Sequence, residues 1–356
     1  MTKFIEFAGR RIGEGQPCFI IAEAGVNHNG DMQNAKQLVD AAVLAGADAV
    51  KFQTFVAESL VSSLAPKARY QLSTTDDSES QLEMLKRLEL TPEAHREIKD
   101  YCRETGILFL STPFDEDSVD LLIELDIPVF KISSGDITNL PFLDYVARKG
   151  RPVLLSTGMS EMDEVRQAVA TVRDAPNRDL VLLQCVSSYP AQPADVNLRA
   201  MQSMWQEFGT PVGYSDHTEG IAIALAAVAL GACVIEKHFT LDRNLPGPDH
   251  RASLEPNELS EMIRGVRGVE AALGTGLKAP TASEIDTARV ARRSLTAALD
   301  IPAGTQLTRD MIAIRRPGTG LPPAQLSSLI GRTVRADIDA GSLLSLEMLT
   351  AQEPNS

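Results

Sequence analysis

Along the N-terminal part of the chain, short apolar runs alternate with stretches of helical period. The runs are Cys18-Phe-Ile-Ile-Ala22, Asp48-Ala-Val-Lys-Phe52, Ile107-Leu-Phe-Leu110 and Val129-Phe-Lys-Ile132. Val153-Leu-Leu-Ser156, Leu180-Val-Leu-Leu-Gln-Cys185, Pro211-Val-Gly-Tyr-Ser215 and Ala232-Cys-Val-Ile-Glu-Lys237 follow. Each is too short for a helix and continuously apolar, as a strand buried on both faces requires. Between most of them lies an amphipathic segment such as Ala35 to Leu44, which stops at Gly46. Eight such βα units over about 275 residues predict an α/β chain built on a (β/α)8 barrel rather than an open doubly wound sheet. No GxGxxG or GxxxxGK[ST] follows the first strand, which counts against a nucleotide site. The stretch from Phe55 to Asp77 is long for a βα loop and reads as a lid or rim over the barrel mouth.

After a predicted helix over Pro256 to Leu273 the pattern changes. Gly274-Thr-Gly-Leu-Lys-Ala-Pro280 reads as the start of a linker. Beyond it, Asp300-Ile-Pro-Ala-Gly-Thr-Gln-Leu-Thr-Arg-Asp-Met-Ile312 is echoed by Asp337-Ile-Asp-Ala-Gly-Ser-Leu-Leu-Ser-Leu-Glu-Met-Leu349. An internal repeat of this kind implies a small pseudo-symmetric module of about 60 residues. The expected division is a barrel over 1–275, a linker over 276–293 and the module over 294–351.

The polar residues stand where barrel chemistry needs them, at the C-terminal strand ends. His217 and His238 end the last two strands, which would be neighbours, so both imidazoles can reach one metal ion. Two histidine ligands leave positions for water and substrate oxygens, as a Lewis-acid site requires. Lys51 and Lys131 fall inside predicted strands, where an unpaired ammonium is costly to bury. With Thr112, Ser134, Ser156 and Ser215 around the same point they suit a phosphate or carboxylate; a buried ion pair with Glu23 or Glu236 is the alternative. Glu23 is the best-placed carboxylate for orienting or deprotonating a water, with Asp136 and Asp249 behind it. His28 and His250 are expected near the mouth, and His95, in a predicted surface helix, is expected in solvent.

Composition narrows the picture further. The 356 residues carry a formal net charge of -14, which argues against nucleic acid as a partner but not against a small anion met by local cations. No run approaches the roughly 20 apolar residues of a membrane span. The N-terminus lacks the layout of a signal peptide. Cys18, Cys102, Cys185 and Cys233 form no CxxC pair, so neither a structural zinc nor a disulfide framework is expected and the cytoplasm is the default location.

Taken in order, Ile21-Ala-Glu-Ala-Gly-Val-Asn-His28, Lys51-Phe-Gln-Thr54, Ser111-Thr-Pro-Phe114, Lys131-Ile-Ser-Ser-Gly135, Leu155-Ser-Thr-Gly-Met159, Tyr214-Ser-Asp-His217 and Glu236-Lys-His-Phe239 resemble the sialic acid synthase family over nearly the whole chain. The tail resembles the antifreeze-like (SAF, β-clip) domain that follows the barrel in that family. The resemblance implies condensation of phosphoenolpyruvate with an N-acetylated amino sugar and water, giving a nine-carbon 2-keto acid and phosphate. It implies His217 and His238 as ligands of manganese, with magnesium or cobalt as alternatives. It implies Lys51, Thr112, Lys131, Ser134, Ser156 and Ser215 as the phosphoenolpyruvate cradle, and Gln53, Ser187, Tyr189, Asp249 and Arg316 on the sugar side. Arg316, in Arg315-Arg-Pro-Gly318, matches an arginine that one subunit inserts into its partner's barrel, which implies a domain-swapped homodimer. Two positions depart from the sialic enzymes: Asp136 stands for a Glu and Ser187 for an Asn. Ser187 and the Lys51-Phe-Gln-Thr-Phe55 run are similar to legionaminate synthases, so the sialic and legionaminic branches both stay open, ahead of the pseudaminic one. The competing readings are a metal-dependent aldolase or isomerase on the same barrel, and a sugar-binding or ice-binding protein without turnover.

Overall fold

The computed structural model describes residues 4–62, 64–72, 74–76 and 78–350. A hairpin comes first, β1 (Phe4–Phe7) and β2 (Arg10–Gly13). Eight parallel strands follow: β3 (Phe19–Gly25), β4 (Ala49–Thr54), β5 (Leu108–Pro113), β6 (Phe130–Ile132), β7 (Val153–Ser156), β8 (Leu180–Cys185), β9 (Val212–Asp216) and β10 (Val234–His238). Their ladder runs β5-β4-β3-β10-β9-β8-β7-β6, and β5 lies against β6, so the sheet curls round on itself in chain order. This is the barrel expected from the alternation.

Helices form where the sequence supplies both a face and ends. In the helix Met32–Ala45, Ala35, Leu38, Val39 and Ala42 repeat at helical spacing and are buried. Asp31 accepts from the backbone N–H groups of Gln33 (2.7 Å) and Asn34 (2.9 Å), and Gly46 takes the left-handed conformation that ends the helix. Such a cap contributes about 1 kcal/mol.

Side chains alternate along each strand, and the two faces differ. Outward residues such as Ile20, Val50, Phe130, Leu155, Leu182 and Ile235 pack under the helices. Inward residues change character with height. At the N-terminal end Phe19, Ile21, Ala49, Leu110, Leu154, Val181 and Leu183 form an apolar floor, closed from below by Ile5, Phe7 and Ile12 of the hairpin. One step higher the inward positions are Glu23, Lys51, Thr112, Lys131, Ser156, Ser215 and Glu236, all buried.

The polypeptide divides into two compact units, Met1–Gly274 and Thr275–Ser356. Within the second, β11 (Ser294–Ala297) pairs antiparallel with β12 (Ile312–Arg315). The two repeats clasp each other reciprocally. Asp337 accepts from the N–H of Ala303 and Asp300 from that of Ala340, both at 2.7 Å, while Ile301 and Ile338 bridge. Gly304 and Gly341 occupy corresponding left-handed turns. The segment expected as linker holds a helix, Ala282–Ala291, started by a reciprocal cap between Thr281 and Glu284.

The lid segment contains two single-turn helices, Ala57–Leu60 and Arg69–Leu72; positions 63, 73 and 77 of it lie outside the described residues. Lys67 organises the rest by donating to Thr75 Oγ1 (3.0 Å) and the Asp76 carbonyl (2.6 Å) and pairing with Glu79 (3.2 Å). Among the described residues no helix is long and apolar enough to cross a membrane.

The hairpin floor yields a prediction. Phe7 packs edge-on against Phe19 with ring centroids 5.3 Å apart. Phe7→Ala should cost about 3 kcal/mol by leaving a cavity under the barrel. Urea unfolding followed by circular dichroism checks this.

Candidate active site

At the top of the inward column, four charges meet. Lys51 Nζ lies 2.8 Å from Glu23 Oε2 and 3.6 Å from Glu236 Oε2, and donates to Thr112 Oγ1 at 2.7 Å. Lys131 Nζ lies 3.1 Å from Glu236 Oε1, which also accepts from Ser215 Oγ at 2.9 Å. The lysines are thus ion-paired with Glu23 and Glu236, with the hydroxyls of Thr112 and Ser215 in the same network.

The two carboxyls respond oppositely. Burial pushes Glu23 up to about 7, with Lys51 opposing. Glu236 is equally buried but lies between both lysines, which outweigh burial and hold it at about 2. With both lysines charged and Glu23 partly protonated at neutral pH, the cluster carries an excess of positive charge suited to an anion.

Glycines make room beside it. Strand β3 bulges between Glu23 and Gly25, whose φ is 54°. A Cβ at Gly25 would stand 3.3 Å from both Gln53 Nε2 and Glu23 Oε1. Gly158, after β7, donates its N–H to Ser134 Oγ at 2.9 Å, and a Cβ there would meet Ser187 Oγ at 2.5 Å. Ser134, Ser187 and Gly158 therefore form one tight corner.

The histidines sit beside the charges. The rings of His217 and His238 are 5.3 Å apart, centre to centre, and Tyr189 lies 4.1 Å from the first and 5.6 Å from the second. Nδ1 of His217 donates to the Val186 carbonyl at 2.7 Å; burial is outweighed by Cys185 and this bond, which raise its pKa, and in the neutral ring Nε2 carries the lone pair. Burial, then His217 and Lys51, push His238 well below its usual pKa, so it is neutral, as a metal ligand must be. Asp249 Oδ2 lies 3.9 Å from His238 Nδ1, and burial raises its carboxyl to about 6. Among the described residues no group of three or more His, Cys, Asp or Glu is placed to hold a metal. The donor set is thus two imidazoles, which fits a divalent first-row ion completed by water and substrate.

Unsatisfied atoms concentrate here. Among the described residues, buried side-chain atoms without a hydrogen-bond partner are Glu23 Oε2, Ser156 Oγ, Glu236 Oε2, His238 Nδ1, Asn27 Oδ1 and His28 Nε2. The first four belong to this mouth, where Glu23 Oε2 and Glu236 Oε2 nonetheless face Lys51 Nζ as ion pairs at 2.8 and 3.6 Å.

Other expected residues fall as follows. Gln53 Nε2 reaches Glu23 Oε1 at 3.4 Å. Asp136 ends a short turn from Ser134, half-buried, its carboxyl raised to about 6 by burial against Asn139 and Lys131. Arg316 is exposed just after β12, in the second unit. Glu236 was outside the expected site set, although its two-residue spacing from His238 puts both on one strand face.

His95 corrects an expectation. It is 1% exposed rather than solvated, paired through Nε2 with Thr54 Oγ1 (2.8 Å) and through Nδ1 with the Thr91 carbonyl (3.0 Å). The reason is periodicity: His95, Ile98 and Cys102 form the buried stripe of the helix Pro92–Thr105. His28 and His250, expected at the mouth, are 0% exposed. His28 Nδ1 accepts from the N–H of Gly30 (2.9 Å), and His250 pairs with Thr240 Oγ1 (2.7 Å) and Asn29 Oδ1 (3.2 Å).

Two family models match the chain, the NeuB family over residues 38–278 and the SAF domain over 292–350. It is 48% identical to an N,N'-diacetyllegionaminic acid synthase of Legionella pneumophila, covering 95% of this chain and 96% of that protein. Identity to the human N-acetylneuraminate-9-phosphate synthase is 41%, over 96% and 95% of the two chains. The crystal structure of an N-acetylneuraminic acid synthetase from Leptospira borgpetersenii, in complex with citrate, superposes with a TM-score of 0.72 at 36% identity, covering 81% of this chain and 95% of that one.

The buried imidazoles give a pH dependence. Burial lowers His28 from 6.5 to about 4, so between those values the unfolded chain takes up a proton that the folded one does not. Stability therefore falls as pH drops through that window, by about 2 kcal/mol near its acid end. Urea unfolding at pH 7 and pH 4.5 should show the fall, and His28→Gln should reduce it.

Proposed function

The chain belongs to the NeuB family, and on that premise we propose that it condenses phosphoenolpyruvate with an N-acetylated amino sugar and water, releasing phosphate and a nine-carbon 2-keto acid. The observation that carries this is the Lys51–Glu23–Glu236–Lys131 network beside two neutral-capable histidines. An aldolase would need the metal pair but not the cationic cradle.

In the proposed reaction Lys51 and Lys131 hold the phosphate and carboxylate of phosphoenolpyruvate, helped by Thr112, Ser134, Ser156 and Ser215. The methylene carbon of phosphoenolpyruvate attacks the aldehyde carbon of the open-chain sugar. A divalent ion at His217 and His238, manganese by preference, would supply Lewis acidity toward the aldehyde oxygen. Water adds at the cationic C2, and the tetrahedral intermediate expels phosphate. Glu23, raised to about 7, is poised to orient that water and take its proton near neutral pH. Glu236 stays ionised and, against the effect of burial, raises Lys131.

Gln53, Asp136, Ser187, Tyr189 and Asp249 are proposed to face the sugar. Arg316 is proposed to enter the barrel of a second copy and meet the acetamido group, which makes the working unit a homodimer. A cytoplasmic location accords with both substrates. The favoured sugar is 2,4-diacetamido-2,4,6-trideoxymannose, on the Ser187 position and the identity to the Legionella synthase, with N-acetylmannosamine as the second choice.

The test is phosphate release from phosphoenolpyruvate with manganese, offering both sugars in parallel. Sugar-dependent release, abolished by chelator, is expected, with the higher kcat/KM for the diacetamido sugar. Release with neither sugar would overturn the substrate assignment. Lys131→Met should lower kcat/KM for phosphoenolpyruvate by at least about 100-fold, since it also leaves Glu236 short of a counter-charge.

A further inference from the structure

We infer that the buried pair Asp216–Lys237, which faces away from the reaction, sets the spacing of His217 and His238 and thereby the affinity for the metal. The inference rests on the metal reading of those two histidines. Asp216 on β9 and Lys237 on β10 are cross-strand partners, each next in sequence to one histidine. Alternation sends the histidines to one side of the sheet and this pair to the other, beneath the helices. Both side chains are 0% exposed, and Lys237 Nζ lies 2.9 Å from Asp216 Oδ2.

The pair is wired into the backbone on both sides of His217. Asp216 Oδ1 accepts from the N–H of Thr218 (2.8 Å), from Thr218 Oγ1 (2.7 Å) and from Tyr214 OH (3.1 Å). Lys237 Nζ also donates to the Thr218 carbonyl. Residues 216 and 218 are therefore fixed to the strand that carries His238, with His217 between them. A fully buried ion pair is weak evidence for stability, because apolar residues of similar size fill such space at least as well. Its best-attested use is to specify one register. Here the register it specifies is that of the two strands whose ends bear the imidazoles, making Asp216 and Lys237 positioning residues.

The test is manganese titration of the full chain, reading free ion by electron paramagnetic resonance, with unfolding midpoints measured alongside. The double variant Asp216→Asn, Lys237→Met removes both charges while keeping the turn acceptor and the side-chain volumes. It is expected to fold, with metal affinity weakened by about 10-fold or more, in the range of lost outer ligand support. At saturating manganese its kcat should recover to within about threefold of the wild type, a split that general destabilisation would not produce. Thr218→Val, which removes only one donor to Asp216, is a milder second variant with an expected loss of about threefold in metal affinity. Wild-type binding with unchanged affinity in both variants would overturn this inference alone. A wild-type chain that binds no manganese would overturn the metal reading and the inference together.

Discussion

Placing two ammonium and two carboxyl groups inside a barrel is the constraint that the rest of this molecule answers. Each ion taken from water costs several kcal/mol unless it is paired and hydrogen-bonded. The barrel meets that condition by geometry. Its strands hold Lys51 between Glu23 and Glu236, and Glu236 between Lys51 and Lys131. The apolar floor beneath them keeps water out and the local dielectric low. The same floor makes the balance sensitive to charge. Glu236 has two cationic neighbours and stays ionised, whereas Glu23 has one close neighbour and rises to about 7. A network built this way holds its two ammonium groups close together, an arrangement suited to an anion.

The barrel also separates the task of holding residues from the task of using them. Inward positions on successive strands present the charges, and outward positions on the same strands anchor them. The β9–β10 pair shows the division most clearly. Ser215 and Glu236 meet on the inner face at 2.9 Å, while the next residues, Asp216 and Lys237, meet on the outer face at the same distance. Two ion-bearing layers back to back, one residue apart, leave little freedom for the strand ends that follow, and those ends carry the histidines. A site on rigid strands holds its geometry better than one on loops.

Most of this was legible in the chain because buried parallel strands announce themselves as apolar runs with polar ends. All eight runs became strands, and Glu23, Lys51, Thr112, Lys131, Ser215 and Glu236 meet in one buried network within them. The reading failed where a polar residue serves packing. His95, expected in solvent on a surface helix, shares a buried stripe with Ile98 and Cys102. Glu236 and Lys237 are adjacent and equally unusual in an apolar run, and only closure of the barrel says which faces the reaction and which the helices. The repeat in the second unit was visible as spacing, but not the reciprocal Asp300 and Asp337 caps that give the spacing its purpose.

The sugar side is where sequence and geometry carry unequal weight. In the proposed reaction most sugar contacts come from residues beyond the strand ends, such as Ser187 and Tyr189, with Gln53 of β4 beside them. Rejecting a substrate by one methyl in an apolar wall is worth only about 1–3 kcal/mol, whereas a site built to bind a hydroxyl rejects its deoxy analogue far more strongly. Relative to the sialic pattern, Asp136 and Ser187 are each shorter side chains, and shorter arms withdraw hydrogen-bonding groups while opening volume. On the proposed reading that exchange suits a sugar that has lost a hydroxyl and gained a second acetamido group. In the proposed reaction the choice of sugar falls to these loop residues, and the phosphoenolpyruvate chemistry to the charged interior of the barrel.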